Sequence, residues 1–231
     1  MASQTHRPRR SCLYMPGANE RALEKARGLP ADTLLLDLED AVAPDAKLTA
    51  REAIVSAVKQ GGYGHREIVI RMNGLNTEWG EDDLKAAVAC GAKAVLAPKV
   101  ESAADIMTLD AALTEAGAPN DFGLWVMIEM PKAILRVEEI AAASEDTRLT
   151  TFVMGTNDLA KEYRARMTPD RIAFQTALQL SIAAARAYGL YAIDADRTLD
   201  QLRVLRHRLE NRLIAGIRID AGRRGVLGAQ E

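Results

Sequence analysis

A chain of 231 residues, 48% hydrophobic and 27% charged, is long enough for one large α/β domain and too apolar for intrinsic disorder. Thirty Lys+Arg against 32 Asp+Glu leave a formal net charge of −2, which gives no global pull towards nucleic acid or an anionic membrane. No apolar run is as long as a membrane span, and the basic start, residues 1–10, has no apolar stretch behind it. Cys12 and Cys90 both sit in apolar surroundings, so a reduced, cytoplasmic protein is expected.

The first apolar run is Cys12-Leu13-Tyr14-Met15, closed by Pro16-Gly17, and Asn19 then caps a helix through Arg27. A second run, Thr33 to Leu38, precedes a helix over Leu48 to Lys59. Further runs follow at Ile68–Ile70, Ala94–Ala97, Leu124–Ile128, Phe152–Met154 and Leu190–Ile193. Between them the 3.6-residue period predicts helices over 82–90, 103–116, 132–143 and 169–187. Short Val, Ile and Leu runs without alternation suit strands buried on both faces, and their regular exchange with helices argues a parallel sheet with crossover helices. Seven such units point to a (β/α)8 barrel filling 1–231 as a single domain. No Gly-rich fingerprint follows the first run, which argues against a dinucleotide-binding sheet.

In a barrel the chemistry sits at the C-terminal ends of the strands. Those ends carry Asp37, Glu39 and Asp40 after the second run, Arg71 after the third, Lys99 and Glu101 after the fourth, Glu129 after the fifth, Asp158 after the sixth and Asp194 at the seventh. One charged residue after a strand is usually a solvated loop residue; six such ends on one rim describe a polar pocket over an apolar core. Glu129 and Asp158 end neighbouring strands, and two carboxylates with room for water suit Mg²⁺; the alternative is that each caps the helix that follows it. Zinc is disfavoured, because His6, His65 and His207 are scattered. Arg71 offers a forked guanidinium to a carboxylate or an enolate oxygen, or forms a rim ion pair with Asp37 or Glu39. Lys99 is either a Schiff-base lysine or an ion-pair partner of Glu101 or Asp40.

The end of the chain has a different composition. Residues 197–231 hold eight Arg, no Lys and four acidic residues, with apolar positions at Leu202, Leu205 and Leu209 that suit an Arg-rich helix over Leu199–Leu213. Without interleaved aromatic residues this stretch does not read as a nucleic-acid module.

Six segments in order carry a resemblance: Arg10-Ser11-Cys12-Leu13-Tyr14-Met15-Pro16-Gly17, Leu36-Asp37-Leu38-Glu39-Asp40-Ala41-Val42, Ile70-Arg71-Met72-Asn73-Gly74, Pro98-Lys99-Val100-Glu101-Ser102, Val126-Met127-Ile128-Glu129-Met130 and Gly155-Thr156-Asn157-Asp158-Leu159. Over residues 9–194 the chain resembles the citrate lyase beta-subunit-like family of the HpcH/HpaI aldolase group, relatives of the malyl-CoA lyases. The resemblance implies a (β/α)8 barrel assembled as homotrimers or hexamers. It implies Mg²⁺-dependent cleavage or formation of a carbon–carbon bond in a 3-hydroxyacyl-CoA thioester, giving an acyl-CoA and a keto acid. It places the metal on Glu129 and Asp158, the substrate-binding arginine on Arg71, and the acidic motif that orients both on Asp37, Glu39 and Asp40. Arg21 and Lys25 fall where the family meets the CoA phosphates.

After Asp194 the chain departs from the family pattern: 195–231 is a divergent Arg-rich tail in which Leu213 to Ile219 is the candidate eighth strand. The family's eighth-strand motif and the C-terminal lid, with its catalytic aspartate, are not matched there. The expectation is a barrel that binds metal and keto acid but turns over poorly, unless Asp194 or Glu39 replaces the lid's base. A CoA-independent keto-acid aldolase is the remaining alternative.

Overall fold

The structure is a computed structural model, and it describes residues 9–194. Seven strands form one parallel sheet in sequence order: β1 (Cys12–Pro16), β2 (Thr33–Asp37), β3 (Glu67–Arg71), β4 (Ala94–Ala97), β5 (Gly123–Ile128), β6 (Leu149–Met154) and β7 (Tyr191–Asp194). All seven expected runs are strands. The sequential order has no reversal point, unlike a doubly wound sheet.

The helices that join them are α1 (Glu20–Ala26), α2 (Lys47–Gln60), α3 (Gly80–Cys90), α4 (Ala103–Glu115), α5 (Pro131–Leu135), α6 (Val137–Ala142), α7 (Thr156–Tyr163) and α8 (Gln175–Ala187). Asn19 caps α1 as expected, its side chain accepting from the Ala22 N–H. Two expectations need correction. The helix expected over 132–143 is two helices, broken where Arg136 leaves helical backbone at φ −120°. The one expected over 169–187 starts as a 3₁₀ turn, Ile172–Phe174, and becomes α-helical only at Gln175.

Side-chain alternation along the strands divides the apolar core into two layers. Leu34, Leu36, Ile68, Ile70, Val126 and Phe152 pack outwards against the helices. Leu35, Val69, Leu96, Trp125, Met127 and Val153 pack with one another on the other face, in a cluster built from strands alone. A parallel sheet covers that second face without helices only by curling on itself, and the Tyr14 hydroxyl on β1 accordingly lies 3.6 Å from the Met127 sulfur on β5. The described residues are thus a curled seven-stranded α/β sheet. The expected eighth strand and the Arg-rich tail lie outside the described residues. Among the described residues, no helix is long and apolar enough to cross a membrane.

Candidate active site

The concave face is sealed by its apolar middle layer and carries charge at both ends. At the C-terminal end, β2 and β3 stop in register with Asp37 beside Arg71. Both are buried. Asp37 accepts from Arg71 Nε at 2.7 Å and Nη2 at 2.6 Å, and also from the backbone N–H of Glu39 at 2.8 Å and of Ala41 at 3.3 Å. Its oxygens are therefore saturated: Asp37 anchors both the arginine and the following loop. The remaining nitrogen, Nη1, lies 3.0 Å from Glu39 and 3.2 Å from Asp40, and the Tyr14 ring lies 5.2 Å from the guanidinium. Burial works against the Arg71 charge, but Asp37 and then Glu39 outweigh it and raise its pKa above the ordinary value. Of the two readings of Arg71, the rim ion pair is formed. Its two-pronged edge faces Asp37, and Nη1 is held by Glu39 and Asp40, so a substrate oxygen reaches Nη1 by displacing one of those carboxylates.

The acidic loop is held from beneath. The buried Lys47 ammonium donates to the carbonyls of Leu38 and Glu39, both at 2.7 Å, 5.5 Å from the Trp79 ring. Asn73 Nδ2 donates to the Leu38 carbonyl and to Asp83, which Arg51 pairs in turn. These groups turn Glu39 inwards. Its carboxyl is raised first by burial, against the opposing pull of Lys99 and Arg71. Lys99 pairs with Glu39, not with Glu101 or Asp40 as expected; Glu101 pairs with Lys132. Burial disfavours the Lys99 charge, but Glu39 more than compensates and raises its pKa. An ammonium held protonated is a poor Schiff-base nucleophile.

Glu129 follows β5 directly and is 1% exposed. It does not cap α5. Its Oε1 accepts the Lys99 backbone N–H at 2.9 Å, and its Oε2 is buried with no hydrogen-bond partner. Burial raises the carboxyl, the Lys99 N–H opposes this, and the charges of Asp158 and Glu39 add to burial, pushing it up to about 8. Asp158 is not at a strand end as expected: it stands in the first turn of α7, four residues past β6, where its charge is felt by Glu129. A charge at a helix start thus acts on a carboxyl at a strand end.

Gly155, which joins β6 to α7, was missed as a site residue. A Cβ there would lie 2.5 Å from Glu129 Oε2, so only glycine leaves room for the carboxylate. A glycine directly after a buried run was the available signal. The glutamate fits a hard cation: an orphaned, buried carboxylate oxygen facing further negative charge is a site that a divalent ion completes. Among the described residues, no three or more His, Cys, Asp or Glu side chains converge as a ligand cluster. Two carboxylates are the donor set that suits Mg²⁺, which retains waters.

Beside this charged group a cavity of about 780 Å³ opens between the loops after β3 and β4, lined by Glu39, Asn73, Asn76, Lys99, Val100 and Met130. Arg21 and Lys25 are exposed on α1, one turn apart. Asp194 is clamped by Arg171 at 2.9 and 2.7 Å, which occupies both of its oxygens and makes it a poor substitute base.

The family model described as HpcH/HpaI aldolase/citrate lyase matches residues 10–203. A (3S)-malyl-CoA thioesterase of Cereibacter sphaeroides (strain KD131 / KCTC 12085) is 50% identical over 194 residues, covering 84% of this chain and 65% of that protein. The citrate lyase subunit beta of Escherichia coli (strain K12) is 36% identical over 193 residues, covering 81% of this chain and 63% of that protein. The chain thus spans a little under two thirds of the length of these curated relatives. Among solved structures, the citrate lyase beta subunit of M. tuberculosis complexed with oxaloacetate and magnesium has a TM-score of 0.67 at 27% identity, covering 87% of this chain and 86% of that one.

Proposed function

The chain belongs to the HpcH/HpaI aldolase/citrate lyase family, and on that premise we propose that it acts on a malyl-CoA-like 3-hydroxyacyl thioester, cleaving a carbon–carbon bond to give an acyl-CoA and a keto acid. The observation that carries the reading is the buried, unpartnered Oε2 of Glu129, a carboxyl that feels the charge of Asp158, on the rim that also holds Arg71. Glu129 and Asp158 would hold Mg²⁺. When bound, the ion supplies Lewis-acid polarisation of the keto-acid oxygens.

The chain's own residues do the rest. Asp37 fixes Arg71 so that Nη1 stays directed at the rim, where its positive charge stabilises an oxygen that becomes negative as the bond breaks. The apolar layer below, with Trp125 and Met127 fully buried or nearly so, keeps bulk water from the floor of the site. Arg21 and Lys25 offer two exposed cations to the CoA phosphates.

The similarity to a malyl-CoA thioesterase favours one second reading, hydrolysis of the thioester itself. One assay separates them. The purified chain is incubated with malyl-CoA and Mg²⁺ while keto acid and free thiol are followed in parallel. Glyoxylate released without thiol supports the lyase reading, and thiol released without glyoxylate replaces it by hydrolysis. Neither product from folded protein overturns both.

A further inference from the structure

Lys99 is one of the non-glycine residues held in the left-handed backbone region. It is a long-chain, non-glycine residue at φ +53°, a region that strains such residues and persists where the surroundings enforce it. The surroundings here do enforce it. Ala97 at the end of β4 is 2% exposed and Val100 is 3% exposed, so the chain is pinned on both sides, and Pro98 removes a degree of freedom between them.

Two contacts come from this one residue. Its backbone N–H donates to Glu129 Oε1 at 2.9 Å, and its ammonium pairs with Glu39, whose other oxygen meets Arg71 Nη1 at 3.0 Å. The first contact ties up one oxygen of Glu129 and leaves Oε2 unpartnered. With both flanks fixed, relaxing φ to a negative value requires the Pro98–Lys99 peptide plane to turn, which takes the N–H off Glu129. Glycine would adopt this backbone without strain. A strained lysine in its place is explained only if the side chain is needed as well.

We propose that Lys99 is a positioning residue with two separable tasks: its left-handed backbone aims Glu129 at the cation, and its ammonium sets Glu39 against Arg71 for the keto acid. This rests on the metal and keto-acid reading above. The residue bridges β4, β5 and the loop after β2, so one position couples the metal half of the rim to the arginine half.

Three variants of the full chain separate the tasks: Lys99→Gly keeps the backbone and loses the ammonium, Lys99→Met loses the ammonium at unchanged backbone cost, and Lys99→Val disfavours the left-handed backbone. Mg²⁺ affinity is read by titration calorimetry, followed by glyoxylate affinity at saturating Mg²⁺, with thermal unfolding run on each. Lys99→Gly and Lys99→Met should hold Mg²⁺ within about threefold of wild type, the influence of one half-exposed charge. Lys99→Val should bind it about tenfold more weakly, the share of αL strain it would release by misaiming the N–H. Both Lys99→Gly and Lys99→Met should lose about tenfold in glyoxylate affinity, as one charge-assisted contact is removed.

Equal Mg²⁺ affinity in folded Lys99→Val and Lys99→Gly overturns the backbone task, and wild-type glyoxylate affinity in Lys99→Gly overturns the side-chain task. Should Lys99→Val fail to fold, the residue-99 amide proton decides: in ¹⁵N-labelled wild type it should be protected and respond to Mg²⁺, and in Glu129→Ala it should lose both properties. An amide indifferent to Glu129 and to Mg²⁺ overturns the proposal. Absence of Mg²⁺ binding by wild-type protein overturns the metal reading itself, a different result from equal binding across the variants.

Discussion

At the N-terminal end of β2 and β3, Thr33 stands beside Glu67; at the C-terminal end of the same strands, Asp37 stands beside Arg71. Each end buries a bidentate arginine–carboxylate pair. Arg9 meets Glu67 at 2.7 and 2.8 Å, as Arg71 meets Asp37 above. Each end also has buried, unpartnered side-chain atoms, among them Arg9 Nη1 below and Glu129 Oε2 above. Their surroundings differ. The Arg9 guanidinium lies 4.4 Å from the Tyr191 ring centroid and 4.9 Å from that of Trp125, so its free edge meets negative π faces. The Glu129 carboxyl feels the negative charges of Asp158 and Glu39, opposed by Lys99. An orphan atom is therefore no sign of function by itself: aromatic rings lie over the lower one's guanidinium, and the upper one belongs to a carboxyl raised by burial and neighbouring negative charge. The lower end reads as stability and the upper as chemistry.

The sharpest break between the two ends is Glu129→Ala. It removes an expensive buried carboxylate, so the apo protein should melt no lower than wild type. The stabilisation that Mg²⁺ gives wild type, about 2.7 kcal/mol at 100 times Kd, should vanish. A Mg²⁺-dependent shift that survives in differential scanning calorimetry contradicts the assignment.

The converse test is Glu67→Gln at the lower end. Leaving Arg9 buried without its carboxylate should cost about 3–5 kcal/mol, with Tm falling roughly 2–4 °C per kcal/mol. Mg²⁺ affinity should be unchanged, and a change would mean that the two ends are not independent. A smaller effect is expected of Gly155→Ala, whose added methyl presses on Glu129 Oε2. Mg²⁺ binding should weaken by about tenfold, the scale of a contact that must shift to fit, and apo Tm should fall as well, because the methyl would also lie 2.8 Å from Glu129 Cβ and 2.9 Å from Met127 Cε.

The smallest effect concerns the Arg10–Asp32 pair below β1 and β2. The hydrogen bond from Arg10 holds the Asp32 carboxyl below its usual value, ahead of a small opposing effect of burial. A depressed carboxylate contributes stability above its unfolded pKa and loses it as pH falls through the folded value. Arg10→Ala should therefore lower Tm slightly at pH 7, and the gap from wild type should close only as pH falls below the ordinary carboxylate range, through the depressed folded value. A constant gap across acid titration would show that the pair acts through packing, not charge.

Much of this was legible in the sequence because burial on both faces writes itself as unbroken apolar runs, and all seven runs are strands. Asp37, Arg71 and Glu129 were legible because a charge placed directly after such a run has few bland explanations in a curled sheet. Asp158 was found with the wrong address, since four residues past a strand do not reveal that a helix has already begun. Lys99 was read by its ammonium, and Gly155 and Lys47 were not singled out. The Lys99 N–H has no residue-type signature and the carbonyls that Lys47 reaches lie eight and nine residues away in sequence, whereas Gly155 did carry a signal, a glycine directly after a buried run. Arg136 broke a helix whose apolar period runs on undisturbed, so no periodicity argument could have placed the break.

The placing of Glu67 and Arg71 at the two ends of β3 also constrains how the sheet can assemble. They are four residues apart, so both point to the concave face together, with Val69 between them. Slipping β3 by a single residue against β2 would swing both charges into the apolar layer under the helices, where Ile68 and Ile70 now sit. Neither would then have its partner, Arg9 or Asp37. A misregistered sheet is thus penalised twice, at sites roughly 13 Å apart along the strand. The two ion pairs thus favour the native register over a one-residue slip independently of any metal or substrate.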